Sequence, residues 1–194
     1  MYYLFVAVEP PLAVKYQLAM LCKGLPGAAW GNHEQFHLNL RFIGSVDGAQ
    51  KDDVISSLSA IKAEPFEIAL EGVGFFPPKR VPETIWAGVA KNEALQHLHK
   101  KIDTALIRIG LEAEHRKYSP HVTLGRFGQG PVKTDNPKAL AGYLAHNSLF
   151  KTKPFRCDSF ALYSSMRSNQ GPLYQREESF SFSPKGVVTD EELS

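Results

Sequence analysis

Two tetrapeptides, His37-Leu38-Asn39-Leu40 and His121-Val122-Thr123-Leu124, each place a histidine two residues before a small polar side chain, with apolar residues between and after. In a strand that alternation turns the histidine and its polar partner to one face and the apolar pair to the other. Two imidazoles facing one cavity can remove a proton on one side of a reacting phosphorus or carbonyl centre and deliver one on the other. A ring whose pKa lies near 6.5 supplies both forms close to neutrality. One copy alone carries little weight, whereas two copies at matching points of a repeated layout read as one composite site.

A competing motif overlaps the first. His33-Glu34-Gln35-Phe36-His37 matches H-E-x-x-H, which on a helix holds zinc and uses its glutamate to activate water. Gly27, Gly31 and Asn32 lie just upstream and strand-like alternation follows, so the two histidines are not expected to share a helical face, and no metal or other cofactor is expected. His97 and His99 sit two apart on a predicted helix and read as solvent or interface positions; His115 and His146 acquire no role.

The elements that must position the motifs follow from local pattern. Residues 2–8 read as a strand, and Pro10-Pro11 opens a helix whose Val14, Leu18, Leu21 and Leu25 recur at helical spacing until Gly24 and Pro26 stop it. The first motif lies on a strand over 36–43. Asp47 caps a helix with Val54, Leu58 and Ile61 on its buried stripe. A strand then runs from Phe66 toward Gly74, and after the proline-rich segment 76–82 a strand over 84–90 carries Trp86 and completes one lobe. The second half repeats the order. Asn92 caps a helix with Leu95, Leu98, Ile102, Leu106 and Ile109, ended by Gly110; the second motif occupies 120–127; a helix starts at Asn136-Pro137 and runs through Leu140 and Leu144; strands over 155–164 and 173–182 flank a turn at 169–172. Arg41-Phe42 follows the first motif and Arg126-Phe127 the second, so the halves look like a weak duplication that sets the two histidine strands around one pseudo-twofold cleft.

Composition narrows the possibilities further. The 194 residues, 43% hydrophobic, suit one domain or two small lobes sharing a core. Lys+Arg 22 against Asp+Glu 20 leaves a charge of +2, too little to coat nucleic acid, so any such contact is local. Cys22 and Cys157 form no CxxC pair and read as buried, inert thiols of a reducing compartment. The opening MYYLFVAVEPP has no basic stretch before its apolar run and reaches Glu9 too soon for a signal peptide or a membrane span. The chain is therefore expected to be soluble and cytoplasmic, without membrane contact.

The motifs HLNLRFIG and SPHVTLGRF, with VGFFPPKRVPETIWAGV between them and FALYSSMRSNQGPLYQREESFSF after them, resemble the two-histidine (2H) phosphoesterase superfamily. Within it the similarity is to the bacterial and archaeal RNA 2′,3′-cyclic phosphodiesterase, or 2′-5′ RNA ligase (LigT-like), family, and it extends from Tyr3 to Phe182. The resemblance implies a bilobal α+β fold, each lobe an antiparallel sheet with helices on its outer face and the motifs facing each other across a central cleft. Residues 1–184 would then form a single domain of two intertwined lobes, with 185–194 a flexible tail, acting as a monomer. The implied activity is metal-independent hydrolysis of a 2′,3′-cyclic phosphate to a 2′-phosphate, on RNA ends such as tRNA fragments or on small cyclic nucleotides, with reversible 2′-5′ ligation as a related reaction. By resemblance His37 protonates the leaving 3′ oxygen, His121 activates water, and Thr123 donates to a nonbridging oxygen.

Asn39 stands where the family carries Thr or Ser; its amide can donate to phosphate, or it can mark a module that binds RNA ends or 2′-phosphates with weak or no turnover. Arg126 is a phosphate-binding candidate only if Gly125 permits a bend, since strand parity points it away from His121; otherwise it is a surface charge. Arg41 has the parity of His37 and Asn39 and is a second candidate. Phe5, Phe42 and Tyr118 can stack on bases or belong to the core, and Lys79 and Arg80 can guide an RNA backbone or be solvated loop charges.

Overall fold

A computed structural model describes residues 1–76, 83–127, 136–168 and 171–183. The chain runs through β1 (Tyr2–Val8), α1 (Leu12–Leu21), β2 (Ala28–Trp30), a 3₁₀ turn (His33–Gln35), β3 (Leu38–Val46), α2 (Gly48–Ser59), β4 (Phe66–Ile68), β5 (Leu70–Phe76), β6 (Glu83–Val89), α3 (Glu93–Arg108), β7 (His121–Phe127), α4 (Pro137–His146), β8 (Phe155–Cys157), β9 (Ser159–Ser168) and β10 (Gly171–Ser181). The helix starts obey their caps. Asp47 and Gln50 form a reciprocal capping box, Asn92 accepts from the Leu95 amide, and Asn136 accepts from the Lys138 and Ala139 amides with Pro137 in the first turn. Gly110, at φ +88°, closes α3 in the left-handed conformation that favours glycine. Ile109, expected on the α3 stripe, instead caps the helix and is exposed, because the stripe ends at Leu106.

One eight-stranded antiparallel sheet follows the order β10-β9-β1-β3-β7-β6-β5, with β2 adding to β7; β4 and β8 make a separate ribbon. The buried residues of all four helices join Leu4, Val6, Val8, Leu38, Leu40, Ile85, Ala87, Val122 and Leu124 in one core, so the helices cover one face of the sheet. The α+β class and the antiparallel strands are as expected, but the lobes are halves of a continuous sheet. The expectation that residues up to 90 complete one lobe is corrected: β5 and β6 extend the half that carries His121, while β9 and β10 extend the half that carries His37. Each half of the chain thus lends its last two strands to the other's motif. Burial pushes both free thiols, Cys22 and Cys157, up to about 12. Among the described residues, no helix is long and apolar enough to cross a membrane.

Candidate active site

The two halves meet at one registered pair, Leu38 opposite Val122, the middle residues of the two motifs. Both point into the core, so their flanking residues project from the opposite face. Counting outward along the antiparallel pair sets His37 across from Thr123 and Asn39 across from His121. A pseudo-twofold axis therefore passes between Leu38 and Val122, and four polar side chains converge on the face that the helices leave open.

The two rings are fixed by the same device. His37 Nδ1 lies 2.8 Å from the Gln35 carbonyl and His121 Nδ1 lies 2.7 Å from the Ser119 carbonyl, in each case two residues back. A carbonyl only accepts, so Nδ1 carries the proton and Nε2 is left free on the open face. Aromatic rings pin both imidazoles. Phe5 lies 4.8 Å from His37 and Tyr174 meets it edge-on at 5.0 Å; Phe76 meets His121 edge-on at 4.9 Å, with Trp86 at 6.3 Å. The Trp86 indole lies so close on Gly74 that a Cβ there would stand 2.3 Å from the ring. Burial lowers the pKa of both histidines, opposed in each case by the bond to the backbone carbonyl; the neighbouring His121 and Lys15 lower His37 further, while Glu9 raises it.

Bulges decide which arginine faces the site. In β3 the register against β1 slips between Asn39 and Arg41, so Asn39 faces Ala7, Arg41 faces the fully buried Val6, and Phe42 faces Phe5. Arg41 is thereby turned to the helix face, is 7% exposed, donates to Asp103 at 2.7 Å and also contacts the Phe42 and Glu112 carbonyls. Its expected place beside His37 and Asn39 is corrected. In β7 the slip falls between Thr123 and Gly125, so Arg126 returns to the face of Thr123, opposite Thr84. Gly125 makes this possible because β2 pairs closely against it, Trp30 opposite Gly125, and a Cβ there would stand 2.6 Å from the Ala29 carbonyl. Arg126 is exposed, and its charge is felt by Tyr174 across the junction. The matching endings of the two motifs are thus offset by one residue: Phe42 and Arg126 both stand fifth after their histidines.

The remaining candidates separate. Phe42 is 44% exposed on the site face, whereas Phe5 is 4% exposed and forms the floor beneath His37 with Tyr163, so it does not offer a free face to a base. Tyr118 is also occupied: its ring stacks on His99 at 3.8 Å and its hydroxyl donates to the Asn39 carbonyl at 3.3 Å. His99 accordingly is a packing residue rather than a solvent position. Lys79, Arg80 and the tail 185–194 lie outside the described residues. His33 sits in the 3₁₀ turn against Tyr16, away from the rings that hold His37, and among the described residues no three His, Cys, Asp or Glu side chains converge as a metal site would need. A cavity of about 600 Å³ beside the start of α3 is lined by Asn92, His99, Lys100, Lys117 and Tyr118, and neither motif histidine reaches it. The residues that motif reading missed are Tyr174, Phe76, Glu9 and Lys15. Lys15 left a trace in the sequence, since it lies three before Leu18 on the apolar stripe of α1.

The family model of the 2′-5′ RNA ligase superfamily matches residues 10–169. Proteins named RNA 2′,3′-cyclic phosphodiesterase are similar over much of the chain. The one from Thermotoga maritima is 29% identical, covering 88% of this chain and 90% of that protein, and the one from Aeropyrum pernix is 31% identical, covering 73% and 79%. One from Geobacillus stearothermophilus is 30% identical over 65% of this chain but only 40% of its own length. The solved structure of E. coli LigT complexed with 3′-AMP shares the fold, with a TM-score of 0.74 at 21% identity over 94% of this chain and 98% of that chain.

Proposed function

The chain belongs to the 2′-5′ RNA ligase superfamily, and on that footing we propose that it hydrolyses 2′,3′-cyclic phosphate ends of RNA, or small 2′,3′-cyclic nucleotides, to 2′-phosphates without a metal. The observation that carries this is the Leu38–Val122 pairing, which sets two histidines with free Nε2 atoms on either side of one point. In-line opening of a cyclic phosphate needs a base behind the attacking water and an acid behind the leaving oxygen, on opposite sides of phosphorus. His121 Nε2, unprotonated, takes the proton as water oxygen bonds to phosphorus; the bond from phosphorus to the 3′ oxygen breaks, and His37, entering as the imidazolium with both ring nitrogens protonated, passes its Nε2 proton to that oxygen. The Thr123 hydroxyl and Asn39 amide donate to nonbridging oxygens, and Arg126 pairs with the phosphate charge. Cytoplasmic RNA fragments such as cleaved tRNA carry such ends, and the related 2′-5′ ligation is the same exchange with a ribose hydroxyl in place of water.

The test is incubation with a 2′,3′-cyclic nucleotide and a short cyclic-ended oligonucleotide in a metal chelator. A 2′-phosphate product is expected; a 3′-phosphate product, or turnover abolished by chelation, would overturn the reading. A second reading rests on Asn39, whose carboxamide oxygen is buried without a partner. An acceptor so placed costs about 1–3 kcal/mol and suits a site that takes a donor such as a ribose hydroxyl beside the phosphate. Tight binding of 2′-phosphate with no product would favour that module.

A further inference from the structure

Lys15 projects from α1 into the protein and is 5% exposed. A buried ammonium must place its three donors, and here two are accounted for: Nζ donates to Glu9 Oε1 at 2.6 Å and to the Glu34 carbonyl at 2.5 Å. Glu34 lies in the 3₁₀ turn, which Asn32 caps by accepting from the Glu34 amide at 3.0 Å. The next residue is Gln35, whose carbonyl holds His37 Nδ1. Glu9 continues the connection on the other side. Its Oε2 accepts from the Tyr163 hydroxyl at 3.2 Å and contacts the Arg176 guanidinium, and Tyr163 stacks on Phe5, the ring beneath His37. One ammonium thus ties the turn that fixes the ring's proton to the strands that form its floor.

We infer that Lys15 is a positioning residue for His37: by clasping the Glu34 carbonyl and the Glu9 carboxylate it holds the turn whose Gln35 carbonyl keeps the proton on Nδ1 and aims Nε2 at the reacting centre. This rests on the proposed hydrolysis for its catalytic meaning, but the ring's tautomer is a property of the protein alone. His121 is the internal control. Its carbonyl partner belongs to Ser119, in a segment braced by Tyr118 on His99, so Lys15 has no hold on it. The charges acting on His37 come from three elements, Lys15 on α1, Glu9 after β1 and His121 on β7, with Arg176 of β10 held on Glu9 behind them. Lys15 and Glu9 act on the ring in opposite directions.

The experiment is nitrogen NMR of the histidine rings in full-length protein, with kinetics on a 2′,3′-cyclic nucleotide. Lys15→Met, which keeps the length of the chain but loses the donors, is expected to mix the His37 tautomers while His121 keeps its Nδ1 proton, and to lower kcat about tenfold with KM within about twofold. Glu9→Gln, which retains an acceptor for Lys15, is expected to keep the tautomer but move the His37 titration downward. An unchanged His37 tautomer in Lys15→Met, or equal disturbance of both rings, overturns the inference. Should Lys15→Met not fold, the tautomer is read in Lys15→Gln, which keeps a polar tip but lacks the reach and charge, and an unchanged His37 tautomer there, or equal disturbance of His121, does the same. Absence of hydrolysis in the unaltered protein would instead sink the proposed function, leaving the tautomer result to decide the role of Lys15.

Discussion

His37 lies on the floor of Phe5 and Tyr163 with the buried Lys15, paired to the exposed Glu9, behind it and Phe42 five residues along its strand, whereas His121 lies between Phe76 and Trp86 with Arg126 at the matching place. The pseudo-twofold axis relates the backbones and the Nδ1 bonds, but it does not relate the surroundings. Symmetry suffices to put two like groups on opposite sides of one atom. Different duties then require that the environments diverge, because two rings of equal basicity in equal sites have no preference for acid or base. The half carrying His37 holds charges that act on its ring, whereas in the half carrying His121 Thr123 and Arg126 stand exposed on the site face.

The most severe way to break the comparison is to remove either ring. His37→Ala and His121→Ala are each expected to cut kcat on a cyclic nucleotide by about 10²–10⁴-fold, and the double variant by little more than the worse single, since acid and base act as a unit. Additive losses would mean that the halves work independently. Next in size, Thr123→Val removes the hydroxyl proposed to donate to the phosphate and is expected to cost about 10²-fold in kcat, while Asn39→Thr, which makes the halves alike, is expected to retain or raise it. Arg126→Gln is expected to raise KM about tenfold with a smaller change in kcat. Arg41→Gln supplies the contrast: kcat and KM stay close to their starting values, but denaturant unfolding shows a loss of about 3 kcal/mol, because Asp103 is left without its buried partner. The smallest effect is in pH. Because burial lowers both ring pKa values, the free protein should show both limbs of its kcat/KM profile below about 6.5, and a profile centred above neutrality would contradict the assigned surroundings.

Local signals were legible where the cause is local. Pro11, Asp47, Asn92 and Asn136 mark the helix starts, and the alternation in the two motifs places their histidines on one face. Pairing partners were not legible, since nothing within residues 70–89 says that β5 and β6 join the strand of His121 rather than that of His37. The arginines show why parity fails beyond a bulge. Arg41 and Arg126 each precede a phenylalanine, yet the slip at Leu40 buries the first and the slip at Leu124 with Gly125 exposes the second. Gly125 was the readable clue, and Gly125→Ala is expected to cost about 1–3 kcal/mol because β2 leaves no space for a methyl group.

The exchange of strands also sets an order of events during synthesis. By the time Phe127 has been added, the chain already contains β2, β5, β6 and β7, the strands that the described residues give to the half holding His121. The other half then has only β1 and β3, and it waits for β9 and β10, which span residues 159–181. A chain made only that far has the described strands of one half and an unpaired edge at β1, and the floor under His37 is completed once β9 and β10 have been made. The surroundings of the proposed acid are thus completed after those of the proposed base.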